Sequence, residues 1–389
     1  MQVSLSENGG LAMHAINRMS LLVAVMILGS TPILASDTEP SCCDFGSFTW
    51  SVSGTRTDLS GTADEWVFST PEAEGMDGTA LAEGIAEIRS LASLHSLLIL
   101  RHGRIVSETY FNGENATHSY EIASVSKSIM SALVGIALER GYIESIHQVV
   151  SDLLPEPFEQ AGSTKQRITV RDLLTMQAGL FWEPTAPLDM ISLQHVVNDV
   201  VAGPLTYGAG VRFNYSTGLA HLASAVLMEV TGQTTCEFAS ETLFSPLGIA
   251  PEYWGQDADG VHTGGWFMYF TPRELAKFGQ LYLQDGEWNG TPIIPSSWVK
   301  SSLSHQVSFD PFSGYGYWWW LSSYWDAATN ITYQIQSARG GGGQMIYLVP
   351  ALDLVMVTTS DHAYQGTNVR FDSEGFLQIV VIPAILDTP

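Results

Sequence analysis

The sequence predicts a mixed α/β (α+β) fold: an antiparallel sheet built from both chain ends and flanked by helices, with an inserted all-helical lobe. Three observations predict it. Strand-like runs near residue 100, Leu97–Arg101 and Ile105–Phe111, are answered late in the chain by Thr332–Ser337, Met345–Val349 and Leu354–Thr359. Between them, residues 124–290 are mostly helical in pattern and broken by Pro/Gly loops. At the flanks, Leu81, Ile85, Ile88 and Leu91 recur at helical spacing, and a last apolar segment spans about Glu374 to Leu386.

Each element has a local reason. His102-Gly103-Arg104 joins the first two strands as a hairpin with Gly at the turn. Ser126 to Arg140 is apolar nearly all round and stops at Gly141, so this helix belongs at the centre of the molecule. Thr169–Met176 and Leu219–Thr231 read as further helices, the second closing at Gly232. Gly340–Gly343 and Pro350–Asp353 separate the late strands, and Pro383 is expected to kink or shorten the final helix.

Composition narrows the function. The chain has 389 residues, 45% of them apolar, enough to bury a sizeable core. Forty acidic residues against 16 basic ones leave a formal charge of −24, which repels nucleic acid and anionic membrane surfaces. His14 and Arg18 precede the apolar run Met19–Leu28 and a small-residue exit, the pattern of a signal peptide cleaved near Ala35. Residues 1–35 are therefore read as the signal, 36–65 as an irregular arm and 66–389 as one domain. Its sheet lobe takes about 66–123 and 291–389, and its helical lobe about 124–290. A secreted or periplasmic protein is expected, without stable membrane insertion after signal removal. Cys42, Cys43 and Cys236 are too sparse for a disulfide framework; one bridge to Cys236 is open, with free thiols expected.

The sharpest chemical feature is Ser124-Val125-Ser126-Lys127 at the mouth of the apolar helix. Side chains three apart on a first turn share a face, so the Ser124 hydroxyl and the Lys127 amine can touch. A serine hydroxyl needs a base to become a nucleophile, and a lysine desolvated among Ile129, Met130 and Leu133 can serve as one. Tyr215, before another helix, could deliver or accept a proton beside Lys127. The glycines of Ala338-Arg339-Gly340-Gly341-Gly342-Gly343 let backbone approach a ligand, and an N–H there could join that of Ser124 in an oxyanion hole.

The order Ser-x-x-Lys, Tyr-Ser-x and a Gly-rich strand entry resembles the serine β-lactamase and penicillin-binding-protein superfamily. Ser69-Thr-Pro-Glu-Ala-Glu-Gly75, Ser124-Val-Ser-Lys-Ser128 and Ile168-Thr-Val-Arg-Asp-Leu-Leu-Thr-Met176 look like its class C-related hydrolases, in particular family VIII carboxylesterases and 6-aminohexanoate-oligomer hydrolases. The resemblance runs from about residue 66 to the C-terminus. It implies a Ser acyl-enzyme on a β-lactamase/transpeptidase-like fold, with no metal and no cofactor. Ser124 would be the nucleophile, Lys127 its base and Tyr215 the proton shuttle, with the N–H groups of Ser124 and Gly341 as oxyanion hole.

Two departures from the family pattern bear on substrate. Thr217 stands where Tyr-x-Asn has its amide, and Ala338-Arg339-Gly340 replaces Lys-Thr-Gly. Both favour a small-molecule ester or linear-amide substrate over penicillins. The alternatives are a penicillin-recognising protein (a β-lactamase, or a D,D-peptidase or sensor) and an inactive binding relative. Trp182, Tyr317, Gly340 and Gly342 are the expected substrate contacts, and Trp318–Trp320 a possible acyl-pocket wall. No Gly-x-Ser-x-Gly or His-Glu-x-x-His is present, which excludes the α/β-hydrolase elbow and that zinc site. Nothing in the sequence sets the oligomeric state.

Overall fold

The computed structural model describes residues 66–183, 195–361 and 371–387. The expected signal peptide and arm, with Cys42 and Cys43, lie outside them. The first described helix, Gly78–Ile88, starts where the Asp77 carboxylate accepts from the N–H groups of Thr79 and Ala80. Strands β1 (Leu94–Arg101) and β2 (Arg104–Tyr110) follow, joined by His102 and Gly103, both at positive φ (49° and 72°). This is the backbone that lets a two-residue turn match strand twist.

Thirteen strands are described. β3 is Tyr120–Glu121, β4 Tyr253–Trp254, β5 Met268–Phe270, β6 Glu287–Trp288 and β7 Thr291–Pro292. β8 is Val307–Asp310, β9 Ser313–Tyr315, β10 Trp320–Asp326, β11 Ile331–Gly340, β12 Gln344–Val349 and β13 Leu354–Ser360. The main sheet has eight strands in the order β2-β1-β13-β12-β11-β10-β9-β8, every described pairing antiparallel. The two chain ends are sewn together as expected where β1, one strand in from the β2 edge, pairs with β13 at the centre of the packed layers, Leu98 opposite Val357 and Leu100 opposite Val355.

Both faces of that centre are buried, which explains the unbroken apolar run Leu97-Leu98-Ile99-Leu100. On one face Leu97, Ile99, Tyr347 and Met356 pack with Leu81, Phe376, Leu377 and Val381 from the terminal helices. On the other, Leu98, Leu100, Ile346 and Val355 meet the Pro272–Leu283 helix. Gly279 permits that contact: a Cβ there would stand 2.8 Å from Ile346 and 2.9 Å from Val355.

The Ser126–Glu139 helix is buried from Ser126 through Ala137 and ends before Gly141 (φ 77°), at the centre of the larger core as its composition demands. The inserted segment is not all-helical, a correction to the expected architecture. Beside its helices it carries β4, which pairs with β5, β5 itself, which also pairs with β3, and β6, whose partner β7 follows directly. Strands of two or three residues are too short to show a period. The final helix is also shorter than its apolar pattern: Ser373–Phe376 passes into a π-helical turn, Leu377–Val381, before Pro383. Cys236 is disulfide-bonded, which corrects the free-thiol expectation; its partner lies outside the described residues. Among the described residues no helix is long and apolar enough to cross a membrane.

Candidate active site

Ser124 sits in a 3-10 turn, Ala123–Val125, that runs directly into the Ser126–Glu139 helix. Ala123 before it has a left-handed backbone, φ 48°. A non-glycine residue held there costs about 1–3 kcal/mol and persists only where its surroundings fix it. Glu121 is part of that fixing. Its Oε1 accepts from the N–H of Ala123 at 3.0 Å and from the N–H of Phe267, another positive-φ residue, at 2.8 Å. One carboxylate thus braces the turn before Ser124 and the loop that carries Gly265.

Lys127 points back along the first turn. Its Nζ donates to Ser124 Oγ at 2.7 Å, to Thr217 Oγ1 at 3.2 Å and to the Gly265 carbonyl at 3.2 Å. The side chain is 1% exposed, all three acceptors are neutral, and it forms no ion pair among the described residues. Gly265 makes room for this: a Cβ there would lie 2.8 Å from Nζ and 2.9 Å from the Thr217 methyl. Thr217, which stands where the family pattern has an amide, gives the lysine a partner through its hydroxyl.

Tyr215 turns its ring toward the amine, with Nζ 5.1 Å from the centroid, and stacks on Trp320 at 5.8 Å and 26°. The helix that Tyr215 precedes, Thr217–Thr231, is tied at its start to Trp182 and Glu183. Ser216 Oγ accepts from the Trp182 N–H at 2.9 Å, and Glu183 Oε1 accepts from the Thr217 N–H at 2.6 Å. Across the cleft, β11 ends at Gly340, where a Cβ would stand 2.4 Å from the Ile122 carbonyl. That missing side chain lets the strand close against the turn bearing Ser124. Gly342 and Gly343 then reverse the chain with φ of 85° and 104°.

A cavity of about 370 Å³ opens over Ser124, lined by Ser124, Tyr215, Trp320, Arg339 and Gly341. Arg339 is clamped on three sides. Its Nη2 lies 2.9 Å from Glu374 Oε2, its Nε donates to Ser337 Oγ at 2.7 Å, and its guanidinium lies 5.8 Å from the Trp320 ring centroid. A second cavity, about 340 Å³ at the far end of the Ser126–Glu139 helix between Arg140 and Pro292–Pro295, has no nucleophile beside a base.

Ser124, Lys127, Tyr215 and Gly341 are therefore brought together, and the aromatic wall is Trp320. Four expected contacts are not among the residues lining this cavity. Trp182 packs on Trp266 at 5.5 Å, while Tyr317, 4% exposed, stacks on Trp298 at 5.1 Å. Burial also pushes the Tyr317 hydroxyl above its ordinary pKa. Large aromatic area is better spent in a core than on a cleft rim. Gly340 and Gly342 shape the backbone rather than line the cavity. Glu121 and Gly265 were not visible as site residues. A carboxylate two positions before a left-handed residue has no local signature, and Gly265 acts through its carbonyl and its missing Cβ.

The Beta-lactamase family model matches residues 80–375. A 6-aminohexanoate-dimer hydrolase from Paenarthrobacter ureafaciens is 25% identical over 296 residues, covering 68% of this chain and 72% of that one. Among solved structures, EstCE1, described as a hydrolase with promiscuous acyltransferase activity, superposes with a TM-score of 0.62 at 16% identity, over 81% of this chain and all of that one. A penicillin-binding-protein homologue from Caulobacter crescentus gives 0.58 at 16% identity, over 76% and 92% of the two chains. At such identities these two structures are similar to this chain in fold.

Proposed function

The chain belongs to the Beta-lactamase family as a serine hydrolase, and we propose that it cleaves small esters or linear amides through an acyl-enzyme on Ser124. The observation that carries this reading is the 2.7 Å contact of a buried lysine with Ser124 Oγ at the floor of a cavity. An amine held by neutral oxygens alone is free to take and return a proton.

In the proposed reaction Ser124 Oγ attacks the substrate carbonyl carbon while its proton passes to Lys127 Nζ. The oxyanion is met by the backbone N–H groups of Ser124 and Gly341, which flank the cavity. Collapse breaks the C–O or C–N bond, and the leaving alcohol or amine receives the proton by way of the Tyr215 hydroxyl. Water then attacks the acyl carbon, gives up a proton along the same route, and releases the acid with Ser124 restored. The likeness to a 6-aminohexanoate-dimer hydrolase supports the amide half of this reading, while EstCE1 shares the fold. A disulfide at Cys236, with the signal-like start of the sequence, supports a secreted or periplasmic site of action.

The test is direct. A fluorophosphonate probe is expected to label Ser124, and Ser124→Ala to lose hydrolysis of p-nitrophenyl butyrate while keeping the wild-type circular dichroism spectrum. Labelling at another residue, or full activity in the variant, overturns the assignment.

A further inference from the structure

We infer that the substrate cleft is built for uncharged acyl groups, because Glu374 neutralises the one cation that lines it. The inference rests on the proposed hydrolase reading and narrows its substrate class. Of the five lining residues, Arg339 alone carries a charge, and on its own it would favour substrates ending in a carboxylate. Two of its three nitrogens are committed elsewhere. Nη2 is paired with Glu374 Oε2 at 2.9 Å and Nε is bonded to Ser337 Oγ at 2.7 Å. Glu374 is itself held, Oε1 accepting from Ser322 Oγ at 2.7 Å, so the pair sits in a network anchored on two strands and a helix.

Arg339 and Glu374 are 30% and 24% exposed, enough for water to weaken the pair but too little for the guanidinium to swing free. The Arg339 guanidinium lies over the ring of Trp320, which in turn stacks on Tyr215. What the cleft offers an acyl chain is therefore aromatic surface above a compensated charge. The formal charge of −24 on the chain acts in the same direction, lowering the local concentration of anions. Hexanoate-like and shorter neutral acyl esters fit this surface. An acyl group ending in a carboxylate, such as the half-ester of a dicarboxylic acid, meets a cation already paired with Glu374.

The experiment compares p-nitrophenyl hexanoate with mono-p-nitrophenyl adipate, whose acyl chains have equal length and differ in the terminal carboxylate. The readout is the ratio of their kcat/KM values in the full-length protein, repeated at high salt. Wild type is expected to favour the hexanoate ester. Glu374→Gln, which keeps a partner for Ser322 and removes the counter-charge, is expected to raise the adipate share about tenfold, as one uncompensated charge near a surface does after screening. Arg339→Gln leaves Glu374 facing the cleft and is expected to lower it. A wild-type preference for the adipate ester, or a ratio that neither substitution moves, overturns the inference and leaves the hydrolase reading standing. If neither ester is cleaved and Ser124 is not labelled, the hydrolase reading falls and takes the inference with it.

Discussion

Two basic side chains, Lys127 behind Ser124 and Arg339 on the cleft wall, are held in opposite ways. Lys127, on the helical side, is 1% exposed and surrounded by a serine hydroxyl, a threonine hydroxyl and a backbone carbonyl. Arg339, on the sheet side, is 30% exposed and clamped by a carboxylate. In the proposed reaction Lys127 passes a proton and its partners among the described residues are neutral oxygens, whereas Arg339 transfers none and is bonded to a carboxylate. The lesson is that the partner, more than the residue type, decides what a cation does.

Three substitutions or conditions break or sharpen that contrast. Lys127→Met keeps a buried straight chain and removes the amine. It is expected to lower kcat/KM for p-nitrophenyl butyrate by about 10³-fold or more, the scale of a lost general base. Wild-type rates in this variant would remove Lys127 from the chemistry. Thr217→Asp gives Lys127 the kind of partner Arg339 has. It is expected to lower kcat/KM about 100-fold, since a carboxylate at that position ties the amine up in an ion pair. Thr217→Ser, which keeps the hydroxyl, is the control.

The smallest effect lies behind the lysine, in the Gly255–Phe267 loop that carries Gly265. His262 there is fully buried, and burial pushes its pKa down to about 4 from an ordinary 6.5. The unfolded chain therefore binds this proton first as pH falls. Stability from the neutral ring is complete above about pH 6.5 and is lost as pH falls toward 4. Melting temperature is expected to drop between pH 6.5 and 4.5 in wild type and to drop less in His262→Asn. An equal fall in both would place the acid sensitivity elsewhere.

What the sequence made legible is what is local. Ser124 and Lys127 lie three apart on one turn, His102-Gly103 fixes a hairpin, and the apolar Ser126–Glu139 helix announces its own burial. What it hid depends on contacts distant in the chain. Thr217 read as a lost amide, because the Gly265 carbonyl that completes the lysine's surroundings comes from another loop. Trp182 and Tyr317 read as cleft walls, although an aromatic's identity does not say which side of a loop it faces. Strands β8–β10 went unread because Ser, Trp and Asp alternate there without a clear apolar period, yet β10 supplies Trp320 to the cleft. Arg339 was noted without Glu374, its partner from the last described helix.

The pairing of β1 with β13 has a temporal consequence. Ser124 emerges early from the ribosome, while Gly341, Arg339 and the strand that locks them beside it arrive more than two hundred residues later. Such long loop closures are slow to form. The cleft around Ser124 is therefore incomplete until β11 and β13 have been made, and a chain cut short before β11 is expected to show no hydrolase activity.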